Sequence, residues 1–362
     1  MSEVNTRAWL ADYPDTPAAV VLRQFLSPVE GKDGVFFPPT FAAAENSKEF
    51  PGGYNINEFG NGENVCLVDS VGSQANRIEP MFATGGYAAL VPQLVVEAGA
   101  NEPMRRVSIL EAGHRAGDAI VRCSALKEEL RDAFEALKRG NALPLAKLAP
   151  TSLVFGVWDS RDTQAKAPRL LAATIRAFNV AKLTRSAQYN PVFDYVEEGL
   201  LDETEDKGAL EARSKWGYRH QPASWTHGGV IAKGDIRREV TLQLAALRLL
   251  RGTTEDETAK LRAYLLGLAL LAFTKPAVGF LRQGCNLVLD RDRKPECKVV
   301  FPDGRREVVE ITHDAALAFA KSAAEAFGVG QSRTVKFDAG LAKDELAGNG
   351  KTKGARRKAK VA

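Results

Sequence analysis

The chain has 362 residues, 45% of them hydrophobic and 26% charged, with a formal net charge of +4. That suits one large or two ordinary globular domains with a substantial core. Six cations (Lys351, Lys353, Arg356, Arg357, Lys358 and Lys360) sit in the C-terminal tail, and +4 less those six leaves −2 for the rest. A globally basic body is therefore excluded, and any nucleic-acid surface must be a local patch.

Residues 17–26 (PAAVVLRQFL) read as a first strand. Gly31 to Gly62 reads as a long loop rich in Gly, Pro and Asn, and Pro38-Pro39 forbid a helix there. In ENVCLVDSVGSQANRIEPMF, Asp69 or Ser70 caps a helix whose far end Pro80 limits. Ser73, Asn76 and Arg77 then share roughly one face, which is either solvated or able to hold phosphate. Residues 110–122 read as a helix on which His114 and Asp118 stand four apart and hydrogen-bond. A second helix is capped by Ser124, carries Glu128 and Glu129 first and Lys138 and Arg139 last, and stops at Gly140.

The apolar run Leu153 to Trp158 reads as a buried strand ending in Asp159-Ser160-Arg161. After it come Arg161, Lys166, Arg169, Arg176, Lys182 and Arg185, opposed nearby only by Asp159 and Asp162. Such a local excess suits a phosphate-backbone track. Its bland counterpart is a solvated face balanced by the acidic segment 194–211. Thr174–Val180 reads as extended. Lys215–Gly229 interleaves Trp216, Tyr218 and Trp225 with Lys215, Arg219, His220 and His227, and reads as a loop or irregular hairpin. Aromatic planes stack on bases while cations hold the backbone.

A helix is expected over about 238–251, and another from the capping-box pattern Thr254-x-x-Glu257 to about Phe273. Residues 281–289 read as a strand. Lys298–Phe301 and Glu307–Ile311 flank the turn Pro302-Asp303-Gly304-Arg305. A last helix spans about 313–327, and from 346 the composition turns to a disordered basic tail. There is no signal-peptide core, and the greasiest run, Ala263 to Phe273, is about half the length a bilayer crossing needs. Neither membrane nor cofactor is expected. The four cysteines lie far apart without a CxxC pair, as reduced thiols in a cytoplasm do.

No phosphate-binding loop, GxSxG or HExxH motif is present. His220 and His227 lack the further ligands zinc needs, and Asp159 with Asp162 reads as a salt-bridged strand end rather than a metal or acid/base pair.

Several stretches taken in order carry a resemblance: FPPTF at 37–41, CLVDSVGSQANRIE at 66–79, HRAGDA at 114–119, SLVFGVWDSR at 152–161, KAPRLLAATIRAFNV and LTRSAQY through 189, HGGV at 227–230 and LRQGCNLVL at 281–289. The chain resembles the CRISPR-associated RAMP proteins that form the backbone subunit of the type I-U (I-G) Cascade. The resemblance implies an α+β fold, a modified RRM (ferredoxin-like) palm occupying residues 1–345 as a single domain. Its insertions would be a loop at about 27–62 and a thumb-like segment at about 186–235, with the tail at 346–362. It implies a non-catalytic subunit that polymerises head to tail along crRNA and presents it for pairing with target DNA, beside other Cascade subunits. On chemistry, the residues expected to touch RNA are Ser73, Asn76, Arg77, Arg115, Arg161, Lys166, Arg169, Arg176, Arg185, Tyr218, His220, Trp225 and Arg237. The aromatic RNP consensus of an ordinary RRM is absent, so bases are not expected to stack across the sheet. The alternatives are a RAMP endoribonuclease with His220 or His227 as general acid, and a cytoplasmic α/β enzyme unconnected with nucleic acid.

Overall fold

A computed structural model describes residues 6–11, 15–99, 103–276 and 279–347, without the side chains of 6–7 and 223–225. In chain order, the elements that position the site are strand β1 (Ala19–Pro28), β2 (Ile56–Glu58), β3 (Asn64–Asp69), helix α1 (Val71–Ile78), α2 (Lys127–Lys138) and α3 (Pro150–Phe155). Strand β4 (Leu171–Phe178), β5 (Val180–Tyr189), helix α4 (Lys207–Trp216), β6 (Gln221–Ala232) and β7 (Ile236–Gln243) follow. Last come α5 (Glu255–Thr274), β8 (Leu287–Leu289), β9 (Glu296–Val300), β10 (Arg306–Val308) and α6 (His313–Phe327). The fold is mixed α and β.

The main sheet runs β10-β9-β1-β7-β4-β3-β2, with β8 pairing the end of β1. Every pairing in it is antiparallel. Its four central strands stand in the order β9-β1-β7-β4, which is fourth, first, third, second along the chain. Strand β7 shows why the sheet has two unlike faces. Ile236, Arg238, Val240 and Leu242 are buried, and the residues between them are not. A strand's side chains alternate between faces, so this one sends one set into the helix-packed core and the other to the open side.

Helix α5 covers the inner face. The reciprocal Thr254–Glu257 capping box starts it, and every residue from Leu261 to Phe273 except Ala263 is buried. Each fully buried Leu there contributes roughly 1.5–3 kcal/mol. Tyr264 stacks on Phe327 of α6 with ring centroids 4.4 Å apart and donates to the Leu90 carbonyl at 2.7 Å. A second, three-stranded sheet joins Leu94–Ala98 to Arg105–Ser108 and, in parallel, to Arg333–Lys336.

Strand β1, α5, α6 and the hairpin around 302–305 lie where the sequence places them. Five expectations are corrected. Residues 152–155 end helix α3 instead of forming a strand; only Val157–Trp158 is extended. Pro150 at the first helical position suits that start, because its missing N–H has no partner to lose there. The helix expected from 238 is β7 followed by a single short helix, Leu244–Arg248. Residues 110–122 are turns, a 3-10 turn at Arg115–Gly117 and the short helix Ala119–Arg122. Of 281–289, only β8 is a strand. Helix α2 starts at Lys127 with Leu126 as its N-cap and no side-chain cap, so Ser124 does not cap it but accepts from the Leu126 N–H at 3.2 Å in the turn ahead. The four cysteines are free thiols.

Candidate nucleic-acid interface

Strands β5 and β6 form a two-stranded arm of their own. From Thr184 onward β5 has exposed residues at successive positions, on both of its faces, so the arm leaves the sheet instead of packing on it. The segment between the strands holds α4, which buries none of its residues. Its apolar residues Val192, Leu200 and Trp216 are exposed. Tyr218 is 46% exposed and meets Tyr195 edge-on at 5.0 Å. His220 shares a 2.8 Å hydrogen bond between Nδ1 and Asn190 Oδ1. The Trp225 side chain and the tail from 348 lie outside the described residues.

The base of the arm is where separate stretches of sequence converge. Phe36 pairs with Val230 through two backbone hydrogen bonds of 3.0 and 2.8 Å, and the Phe37 N–H donates to the Gly284 carbonyl at 2.8 Å. The FPPTF, HGGV and RQGC segments thus meet at one place. Gly229 has φ +96°, and a Cβ there would stand 2.5 Å from Val35 Cγ1; a Cβ on Gly228 would stand 2.6 Å from the Thr184 backbone carbon. Only glycines allow the loop and the two arm strands to come this close. The Gly229 N–H donates to the Tyr54 hydroxyl at 2.9 Å, and the His227 ring tilts against Tyr54 at 4.9 Å. Burial raises the pKa of the Tyr54 hydroxyl, outweighing that hydrogen bond and the nearby charge of Arg185. Arg185 itself is exposed, with its guanidinium 5.8 Å from the Phe37 ring and a 3.4 Å bond to Thr226 Oγ1. The site therefore offers a cation beside an aromatic plane on a projecting hairpin, which can hold a phosphate and a base together.

Helix α1 starts as expected. Ser70 is its N-cap and accepts from the Ser73 N–H at 3.2 Å. Asn76 is exposed, whereas Arg77 turns to Asp69, its Nε 3.1 Å from Oδ2. Asp69 is fully buried and also accepts from Gln74 at 2.7 Å and Arg282 at 2.6 Å.

The cations of 161–185 make separate sets of contacts. Arg161 stands at an open groove of about 900 Å³ shared with Arg122, Arg131 and Glu345. Lys166 lies over the exposed Trp158 ring at 5.8 Å. Arg169 donates to the Phe155 carbonyl at 3.0 Å. Arg176 is on the open sheet face, 2.9 Å from Thr174 Oγ1 and 3.9 Å from Glu239. Lys182 and Arg185 alone are on the arm. Buried Asp159 holds a turn by accepting from the Thr163 N–H at 2.8 Å and hydroxyl at 2.7 Å, while Asp162 pairs with Arg131 at 3.6 Å. Among the described residues, no ion pair joins the acidic 194–211 segment to these cations.

Arg115 is misplaced by the sequence reading. It is 4% exposed, has φ +53°, and pairs with buried Glu79 at 2.6 Å beneath the Phe155 ring, out of reach of a bound strand. Burial pushes Glu79 up to about 7, against the lowering effect of Arg115. His114 and Asp118 do not pair through their side chains; Asp118 accepts the His114 backbone N–H at 3.1 Å and caps Ala119–Arg122. Arg237 is held by Asp235 at 2.9 Å and lies over Phe178 at 4.3 Å. Arg293 shares Asp235 and covers Phe25 at 3.8 Å. With Arg23, Glu239 and Lys298 beside them, the open face is mainly charged, and its Phe25 and Phe178 rings lie beneath guanidinium groups. Arg23, Arg293 and Lys298 lay outside the sequence reading because strands far apart in the chain bring them together. Among the described residues, no group of three or more His, Cys, Asp or Glu is placed to hold a metal ion, and no helix is long and apolar enough to cross a membrane.

Residues 20–182 match the family model described as CRISPR-associated protein GSU0053 (Cas_GSU0053). This match shows a CRISPR-associated protein. It runs from β1 through α1 and β4 to the first residues of the arm. No curated protein matches the chain.

Proposed function

We propose that the protein is a non-catalytic, guide-RNA-binding backbone subunit of a type I-U (I-G) Cascade, working in the cytoplasm with other subunits of that complex. The observation that carries this reading is the arm: a β-hairpin standing off the sheet, with Lys182 and Arg185 at its base and in no ion pair among the described residues, in a CRISPR-associated chain. The β9-β1-β7-β4 order, with α1 and α3 before β4 and α5 before β9, supports the reading of the sheet as a modified RRM palm of split βαβ units. The arm then serves as the thumb.

A guide must be held without being read, so that its bases stay free to pair with target DNA. Contacts to phosphate and 2′-OH meet that need, and base-edge contacts do not. The salt-bridged open face, with Phe25 and Phe178 covered by Arg293 and Arg237, suits this, since stacking bases flat on the sheet would sequester them. Repetition of one subunit along a strand requires a heterologous, head-to-tail contact, which generates an open helical filament.

The test is binding of purified, nucleic-acid-free protein to unrelated single-stranded RNAs over a range of salt. Affinity that falls steeply with salt and varies little with sequence is expected, with the RNA recovered uncut. Strong sequence preference, or metal-independent cleavage lost in His220→Ala or His227→Ala, contradicts the proposal.

A further inference from the structure

Between the helix-packed core and the smaller core cluster beneath the arm is a half-open cavity of about 30 Å³. Its walls are apolar, with Leu26, Ile175 and Leu287 among them, apart from Gln74 and three cations, Arg77, Arg238 and Lys275. Among the described residues no carboxylate lines it. Arg238, on the inner face of β7, is 3% exposed. Its hydrogen bonds go to two neutral amide oxygens, Nε to Gln74 Oε1 at 3.1 Å and Nη1 to Gln24 Oε1 at 2.7 Å. Burial pulls its pKa down to about 10. Lys275, just past α5, is half-buried and donates to the Arg77 carbonyl at 3.3 Å. Its pKa is lowered by burial and then by the charge of Arg238. The neighbouring carboxylate, Asp69, is already shared by Arg77 and Arg282.

Arg238 and Lys275 are thus two like charges, partly out of water, with no counter-charge of their own among the described residues. Buried charge is normally paired, because the interior screens it poorly. We propose that the cavity is an oxyanion site that takes the non-bridging oxygens of one phosphate group, held by Arg238, Lys275 and Arg77. The volume is about that of one liquid-water molecule, so one or two oxygens enter while the phosphorus stays at the mouth, where Arg77 is partly exposed. A guanidinium edge and an ammonium supply charge-assisted donors of the kind such oxygens take. Resting on the function proposed above, the phosphate belongs to the bound strand; free phosphate presents the same chemistry from solution.

The test uses the full chain freed of nucleic acid. Inorganic phosphate is titrated at constant ionic strength, with sodium chloride making up the difference, and the melting temperature is read. Wild type gains several degrees at saturation, and Lys275→Met and Arg238→Met each bind phosphate at least about tenfold more weakly. No gain in wild type, or an equal gain in Lys275→Met, overturns the site. Should Arg238→Met fail to fold, Lys275→Met decides alone, because it changes a half-buried residue beyond the helix end. A second arm repeats the titration with RNA already bound. Loss of the phosphate response assigns the cavity to the strand; an undiminished response overturns that assignment and leaves a free-anion site. Failure of RNA to bind at all sinks the function proposed above, while the phosphate titration still decides the cavity.

Discussion

Replacing Arg185 by Ala separates an exposed cation that meets RNA from one that merely follows it in sequence. Arg185 pairs with no carboxylate among the described residues and makes one long side-chain hydrogen bond, to Thr226. Its whole charge is therefore available to a phosphate. Each phosphate neutralised on a single strand contributes about 0.7 to the slope of log affinity against log salt. Losing one contact should weaken binding about eightfold at 50 mM salt and about threefold at 200 mM, so the gap narrows about 2.6-fold. Fluorescence anisotropy of a labelled single-stranded RNA at four salt concentrations reads both slopes. Arg115→Ala is the counterpart. It breaks a 2.6 Å pair with Glu79 that is buried on both sides, at a cost of about 3–5 kcal/mol, and should lower the melting temperature without changing the slope. An unchanged slope in Arg185→Ala, or a reduced slope in folded Arg115→Ala, refutes the placement of the strand at the arm base.

Three further outcomes follow from the geometry. Gly229→Val puts a Cβ 2.5 Å from Val35 at φ +96°, straining the arm base by about 1–3 kcal/mol; limited proteolysis should cut the 190–220 segment faster than in wild type, and an equal rate contradicts the tight junction. Burial raises the folded-state pKa of Glu79 from its ordinary 4.5 to about 7, so the folded protein holds that proton more tightly than the unfolded chain. This contribution is full below about pH 4.5 and is lost as pH rises through about 7; Glu79→Gln should flatten that limb of the stability curve, and an identical slope argues against it. Thr254→Ala removes one half of the α5 capping box and should cost about 1 kcal/mol in urea unfolding; no change in midpoint denies the cap its role.

Signals that lie close together in the chain were legible. The Thr254–Glu257 box, Gly328 after α6, and Pro302 to Arg305 between β9 and β10 each set a boundary from their own chemistry. Strand β7 was hidden because Arg238 occupies an inward position, breaking the apolar alternation, while Val240, Leu244 and Leu247 happen to fit a helical period. The run 152–158 has no period at all, so pattern alone cannot choose between strand and helix. The site divides in the same way. Arg185, Tyr218 and His220 are exposed on the arm or its insertion, in keeping with their local polarity. Arg115 is not, because the carboxylate that holds it is 36 residues away in sequence. Arg161, Lys166, Arg169 and Arg176 are neighbours in the chain, but each meets a different group: the groove beside Arg131, the Trp158 ring, the Phe155 carbonyl and Thr174. Arg238 and Lys275 meet only because β7 and the end of α5 are packed together.

The central claim, a subunit that repeats along a guide strand, is met most directly by electron microscopy of the protein coexpressed with a CRISPR array and its neighbouring genes. The expected images show an RNA-containing assembly with several copies in a regular open helical row. Particles of single copies free of RNA, under conditions where the other components assemble, contradict it.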